Sequence, residues 1–310
     1  MRAITQKSFG TPDVRVPTET DRPVPLAGDV LVRVHAASVN PVDAHVRAGA
    51  LPLLGEPPFV LGWDVSGVVE EVVPGVTRFE VGDEVFGMPL FPRPAGAYAE
   101  YVAAPSRHFV RKPAGLDHVR AAALPLAGLT AWQALVDTAG LREGQRVLVH
   151  GAGGGVGHLA VQIAKARGAE VLATASAAKH DFVRSLGADH VIDYAAGDFA
   201  AGLSGIDVVL DGIGGGYGQR SLPMLAEDGL LITLVERGSA ELTAAAAAAG
   251  RRFTGLTVEP DHVGLAALAE LADQGRLRPH VQHVLPLEEA ARAHELIESR
   301  GTRGKIVLTV

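Results

Sequence analysis

Val147-Leu-Val-His-Gly-Ala-Gly-Gly-Gly-Val-Gly157 is an apolar run that empties directly into a glycine cluster. Leu159-Ala-Val-Gln-Ile-Ala-Lys-Ala166 follows, apolar at helical spacing, and Gly168 is placed to end that helix. A second β-rich run, Glu170-Val-Leu-Ala-Thr-Ala175, comes next. Strand, glycine turn, helix, strand is the context in which a glycine motif points to a dinucleotide. Ala152-x-Gly154-x-x-Gly157 fits the spacing with alanine in its first place, and Gly155 and Val156 complete the turn. A side chain at Gly154 would hold a pyrophosphate away from the backbone N–H groups, and one at Gly157 would separate helix from strand. The phosphates then meet the positive N-terminus of the helix.

The nucleotide is chosen about twenty residues further on, where an NAD site places a carboxylate on the ribose hydroxyls. Here that stretch reads Thr174-Ala-Ser-Ala-Ala-Lys179 and has none. Ser176 and Lys179 suit a 2′-phosphate, which an aspartate would repel, so NADPH is the expected cofactor. An ordinary strand-to-helix turn with Ser176 as N-cap is the alternative reading of the same residues.

Residues 1 to about 112 alternate apolar and polar in short runs such as Val30-Leu-Val-Arg-Val-His-Ala36, separated by proline and glycine. Strand candidates from 147 on (147–150, 171–175, 190–193, 208–211, 230–234 and 253–258) alternate with helical patterns, which predicts a parallel, doubly wound sheet. The alanine run 244–249 reads as helix. A helix over 287–299 and a strand from Lys305 follow.

Composition narrows the function classes. The 310 residues are 47% hydrophobic and 20% charged, which suits a globular chain with a full core. A net charge of −7 without a basic run argues against nucleic acid and anionic membranes as partners. The N-terminal residues lack the apolar core of a signal peptide, and 121–136 is too interrupted to span a bilayer, so a cytoplasmic protein is expected. There is no cysteine. Disulfides, thiolate chemistry and most structural zinc sites are thereby removed.

Several segments in order resemble the zinc-independent quinone oxidoreductases (zeta-crystallin-like) of the medium-chain dehydrogenase/reductase superfamily. They are 37–43 (ASVNPVD), 58–69 (PFVLGWDVSGVV), 81–87 (VGDEVFG), 96–101 (GAYAEY), 124–132 (LPLAGLTAW), the turn 152–157 and 186–194 (LGADHVIDY). The resemblance implies an α/β protein with a GroES-like, partly open β-barrel domain (1–113 and 277–310) and a Rossmann domain (114–276), the active site lying in the cleft between them. It implies hydride transfer from NADPH to a quinone or an α,β-unsaturated carbonyl. A homodimer joined edge to edge through the last Rossmann strand, near 253–259, is also implied; an unpaired edge there would otherwise template aggregation. A proline at Leu256 would break such a dimer if that residue's N–H crosses the interface.

The superfamily's zinc enzymes use Cys, a Gly-His-Glu segment and a second Cys or Asp; this chain has Gly62-Trp63-Asp64 and no cysteine. His35, His45 and Asp64 offer at most an unusual donor set, and no metal is expected. Without a Lewis acid, reduction of an already electrophilic acceptor is the accessible chemistry. Carried over residue by residue, Asn40 lies beside nicotinamide and acceptor, where its amide can donate to a developing oxyanion. Asp43 braces the turn. Thr130, Tyr194 and Gly214 fall at positions that line the cofactor. The tyrosine that related enoyl-thioester reductases place after the Asn-Pro-x-Asp segment is missing here. His45 is the nearest proton donor in the sequence, with water as the alternative. Enoyl-thioester reduction, or an NADPH-binding sensor or structural protein without important turnover, remain the competing readings.

Overall fold

In the computed structural model, which describes residues 1–310, the chain forms two compact units. The second unit comprises Thr130–Val258 and Arg276–Arg278. Its sheet is built from β9 (Arg146–Val149), β10 (Glu170–Ala175), β11 (His190–Asp193), β12 (Ile206–Asp211), β13 (Leu225–Thr233) and β14 (Arg252–Gly255). All pairings are parallel, in the order β11-β10-β9-β12-β13-β14. Successive strands run outward from β9 on one side and from β12 on the other. Their carboxyl ends are therefore the topological switch point, where open α/β sheets bind ligands. Helices α4 (Gly157–Ala166), α5 (His180–Ser185), α6 (Tyr217–Ser221) and α7 (Ala240–Ala248) make the crossovers, except that from β11 to β12, which has no helix. The buried face of the sheet holds Leu148, Leu172, Val209 and Leu231 against Phe199, Leu222 and Leu242.

Strand β14 ends the sheet, as expected, but its register changes which residue can test an edge contact. Leu256 N–H donates to Thr233 O of β13 at 3.0 Å. It points into the sheet, so a proline at Leu256 would break this protein's own ladder rather than an interface. By strand alternation the outward-facing donors of β14 are those of Phe253 and Gly255.

The first unit comprises Met1–Leu129, Glu259–Gly275 and Pro279–Val310. A three-stranded antiparallel sheet runs β2 (Arg15–Glu19), β1 (Arg2–Gln6), β4 (Phe59–Val60). A seven-stranded sheet has the path β15 (Val281–Pro286), β16 (Lys305–Thr309), β3 (Asp29–Val39), β5 (Asp64–Val72), β6 (Glu84–Gly87), β8 (Phe109–Arg111), with β7 (Tyr101–Pro105) also pairing β3. Only β15 and β16 run parallel to each other in this sheet. Helix α1 (Pro41–Arg47) follows β3 directly, and α9 (Ala290–Glu298) connects β15 to β16. Trp63, Tyr98, Phe86 and Phe109 are the bulkiest fully buried side chains.

The unit boundaries differ from those expected for the domains. Residues 114–129 and 259–275 group with the first unit. Helix α2 (His118–Ala122) packs on β3 and β5, and α8 (His262–Asp273) packs on β8, so both are held by strands far from them in sequence. The division falls inside α3 (Pro125–Trp132). No helix is long and apolar enough to cross a membrane.

Candidate active site

The glycine turn joins β9 to α4 at the switch point, and close contacts dictate its composition. A Cβ at residue 157 would lie 2.4 Å from Gly151 O and 2.7 Å from Ala152 Cα. Only glycine lets α4 start this close to the end of β9. Gly151 adopts φ +66°, in the left-handed region that L side chains avoid. Gly154 N–H returns to Gly151 O at 2.9 Å and closes the bend.

The turn is anchored on its strand side by a polar chain absent from the expectations. His150 is 2% exposed, with Nδ1 3.1 Å from Thr174 Oγ1 and Nε2 2.9 Å from Ser221 Oγ. Ser221 Oγ–H donates to Tyr217 O at 2.8 Å, so His150 Nε2 must be the donor to Ser221. Thr174 Oγ–H then donates to His150 Nδ1 while accepting the Gly151 N–H at 3.3 Å. Every proton has one place. Burial, reinforced by the Arg220 charge, lowers the His150 pKa to about 3 and keeps the ring neutral.

Lys179 lies beside this turn: its Cδ would be 2.7 Å from a Cβ at Gly153. Ser176, half-buried after β10, accepts the Lys179 N–H on its backbone carbonyl at 2.8 Å; its hydroxyl makes no capping bond. Tyr194 follows β11 and is exposed. Gly214 follows β12 with φ +70°. Its N–H and that of Ile213 donate to Asp211 Oδ1 at 3.1 and 2.8 Å. Asp211 Oδ2 is buried without a partner, and burial raises the pKa of this carboxyl. Thr130 is buried within α3. Ala152 is buried, its N–H on Thr174 O at 3.1 Å. The cradle a Cβ would fill, together with α4 starting at its rim, fits a dinucleotide pyrophosphate.

In the first unit, Asn40 caps α1 and is 1% exposed. Its Nδ2 donates to Asp64 Oδ2 at 2.8 Å, and its Oδ1 accepts from Lys305 Nζ at 2.5 Å. The other Nδ2 proton has only Ser38 O, 3.5 Å away. Lys305 also donates to Val39 O at 3.1 Å and lies 3.5 Å from Asp64 Oδ2. Asp64 Oδ1 takes the Leu126 N–H at 2.7 Å. The amide cannot flip without setting two like groups against each other. Asp43 braces the cap, its Oδ2 accepting Asn40 N–H at 2.7 Å and Tyr98 Oη at 3.1 Å. Burial raises the Asp43 pKa to about 7, against the pull of the Asn40 N–H.

His45 is exposed on α1 and has no part in this network. The three conceivable metal donors are not gathered. His35 stacks on His118 with ring centroids 4.4 Å apart, Asp64 is committed as above, and His45 faces outward. Trp63 is fully buried and donates Nε1–H to Arg93 O at 2.8 Å. These side chains do not fit a zinc site.

Sequence reasoning missed His150, Ser221 and Lys305. A polar residue closing an otherwise apolar strand, and a lysine opening the apolar run 305–310, were the available signals.

Residues 26–114 match the alcohol dehydrogenase GroES-like domain family, and residues 186–308 match a family described as zinc-binding dehydrogenase. Quinone oxidoreductase of Sus scrofa is 35% identical over 323 residues, covering 99% of this chain and 97% of that protein. The structure of the quinone oxidoreductase from Coxiella burnetii superposes with a TM-score of 0.94 at 37% identity, over 100% of this chain and 99% of the other. That of the Escherichia coli quinone oxidoreductase complexed with NADPH gives 0.91 at 28% identity, with both chains fully covered. With its barrel-type and Rossmann-type sheets and relatives aligned over nearly its whole length, this chain belongs to the quinone oxidoreductases of the medium-chain dehydrogenase/reductase superfamily.

Proposed function

We propose that this oxidoreductase transfers hydride from NADPH to a quinone or an α,β-unsaturated carbonyl without a metal. The observation that carries the reading is Lys179, whose stem lies against Gly153 of the turn, after a strand that ends without a carboxylate. When bound, the nicotinamide supplies the hydride. The protein's part is to hold and polarise. The N–H groups at the start of α4 take the pyrophosphate, and Lys179 and Ser176 meet the 2′-phosphate. Thr130, Tyr194 and Gly214 line the rest of the nucleotide's path. Lys305 and Asp64 fix the orientation of the Asn40 amide, and its other Nδ2 proton, which has only the 3.5 Å contact with Ser38 O, is the one that would donate to a developing oxyanion. A conjugated acceptor spreads the incoming charge itself, which suits a barrel whose potential metal donors are turned to other tasks. The proton comes from water or from His45, which is open to solvent.

NADPH should bind better than NADH, and Lys179→Ala should weaken NADPH selectively by about 1–3 kcal/mol. Equal affinities of the unmutated protein for both nucleotides sink the cofactor assignment. Turnover of a panel of quinones and enones should survive prolonged chelation; a loss that added zinc restores would overturn the metal-free mechanism.

The exposed β14 edge supports a homodimer formed by sheet continuation. Light scattering across concentrations should show twice the 32.2 kDa chain mass. A mass that stays near that of one chain at high concentration would rule the dimer out.

A further inference from the structure

Residues 153–155 are consecutive glycines, so the dinucleotide turn has no side chains of its own to hold its shape. The backbone ladder does not hold it fully either. His158 N–H bonds Gly154 O at 3.1 Å, but the next donor, Leu159 N–H, goes to Val156 O at 3.1 Å and passes over Gly155. The Gly155 carbonyl is served instead by an imidazole. His158 Nδ1 lies 2.8 Å from Gly155 O and 3.0 Å from Gly154 O. Both neighbours are carbonyl acceptors, so Nδ1 carries the proton. A helical side chain leans back towards the N-terminus, which is how the ring reaches the turn before it. The residue is fully buried.

In a trans peptide, C=O and N–H point in opposite directions. Holding the Gly154 and Gly155 carbonyls towards α4 therefore aims the Gly155 and Val156 N–H groups the other way, out of the helix start. Glycine peptides are otherwise free to rotate. We infer that His158 is a positioning residue for the cofactor: its Nδ1–H locks two turn peptides so that their N–H groups are preset for the pyrophosphate. This inference rests on the nicotinamide reading above.

The test compares His158→Leu with His158→Asn, because asparagine Nδ2 can stand where histidine Nδ1 stood. His158→Leu should raise the NADPH Kd and KM about tenfold, the worth of one well-placed hydrogen bond, with kcat at saturating NADPH within about twofold. His158→Asn should return Kd to within about threefold of the unmutated protein. A leucine variant that binds NADPH normally overturns the inference, as does an asparagine variant no better than leucine, which would assign the residue to packing alone. If His158→Leu does not fold, nitrogen-15 NMR of the unmutated protein decides through the ring tautomer. A proton on Nδ1 is expected, and one on Nε2 alone overturns the proposal. Should the unmutated protein bind neither NADPH nor NADH, the cofactor reading fails and this inference falls with it.

Discussion

The start of α4 and the start of α1 solve one problem in two ways. Each fixes the first turn of a helix after a strand. The α4 turn is held by steric closeness and neutral hydrogen bonds, with His150 kept uncharged between Thr174 and Ser221. The α1 turn is held by buried charge, with Lys305, Asp64 and Asp43 packed around Asn40. A neutral polar network is complete in itself. A charged one depends on every partner, because a buried ion left alone retains its desolvation cost.

The largest effect should therefore come from the charged side. Lys305→Met leaves the fully buried Asp64 without its cation and should cost about 3–5 kcal/mol in urea unfolding. Adding Asp64→Asn should recover much of that loss; a double variant as unstable as the single one would mean that Lys305 contributes by packing. On the steric side, Gly157→Ala forces a methyl against Gly151 O and should cost about 1–3 kcal/mol. NADPH binding should weaken in the same variant, since α4 can only move away from its strand. Retained stability and binding would refute the close-contact account of the turn.

The third prediction separates the regions by pH, with effects of opposite sign. His150 is lowered from 6.5 to about 3 in the folded state. The unfolded chain thus binds its proton first, and stability from this group is complete above 6.5 and lost as pH falls towards 3. Asp43 is raised from 3.8 to about 7, so the folded state holds the extra proton. Its contribution is complete below 3.8 and lost as pH rises towards 7. An amide mimics the protonated carboxyl. Asp43→Asn should accordingly gain on the unmutated protein between pH 5 and 8 in urea melts, whereas His150→Gln should gain on it between pH 6 and 4. The same pH trend in both variants would break the contrast.

The two regions also differ in how far the sequence discloses them. The α4 turn is written in a few adjacent residues, so strand, glycines and helix could be read together, and the six strands of its sheet with them. Its strand-side anchor was less visible, since Thr174 and Ser221 stand 24 and 71 residues from His150. The α1 site is assembled across the whole chain: Asp64 is 24 residues from Asn40, and Lys305 is 265. Asn40 and Asp43 were found through a segment resemblance, but no local pattern says that a lysine in a closing strand will meet them. The same reason explains α8, whose partner β8 lies some 150 residues earlier and pulls it out of the unit suggested by sequence order.

Strand β16 sits between β15 and β3, and brings Lys305 to Asp64. The sheet of the second unit, by contrast, is drawn from one continuous stretch between Arg146 and Gly255. On the ribosome, that parallel sheet has all its strands while the earlier-made antiparallel one still has a gap beside β3. Until β16 is synthesised, Asp64 waits without its counter-charge and the β3 edge stays open. A chaperone that shields one part of the nascent chain would have most to gain there, on the half of the molecule that is made first and finished last.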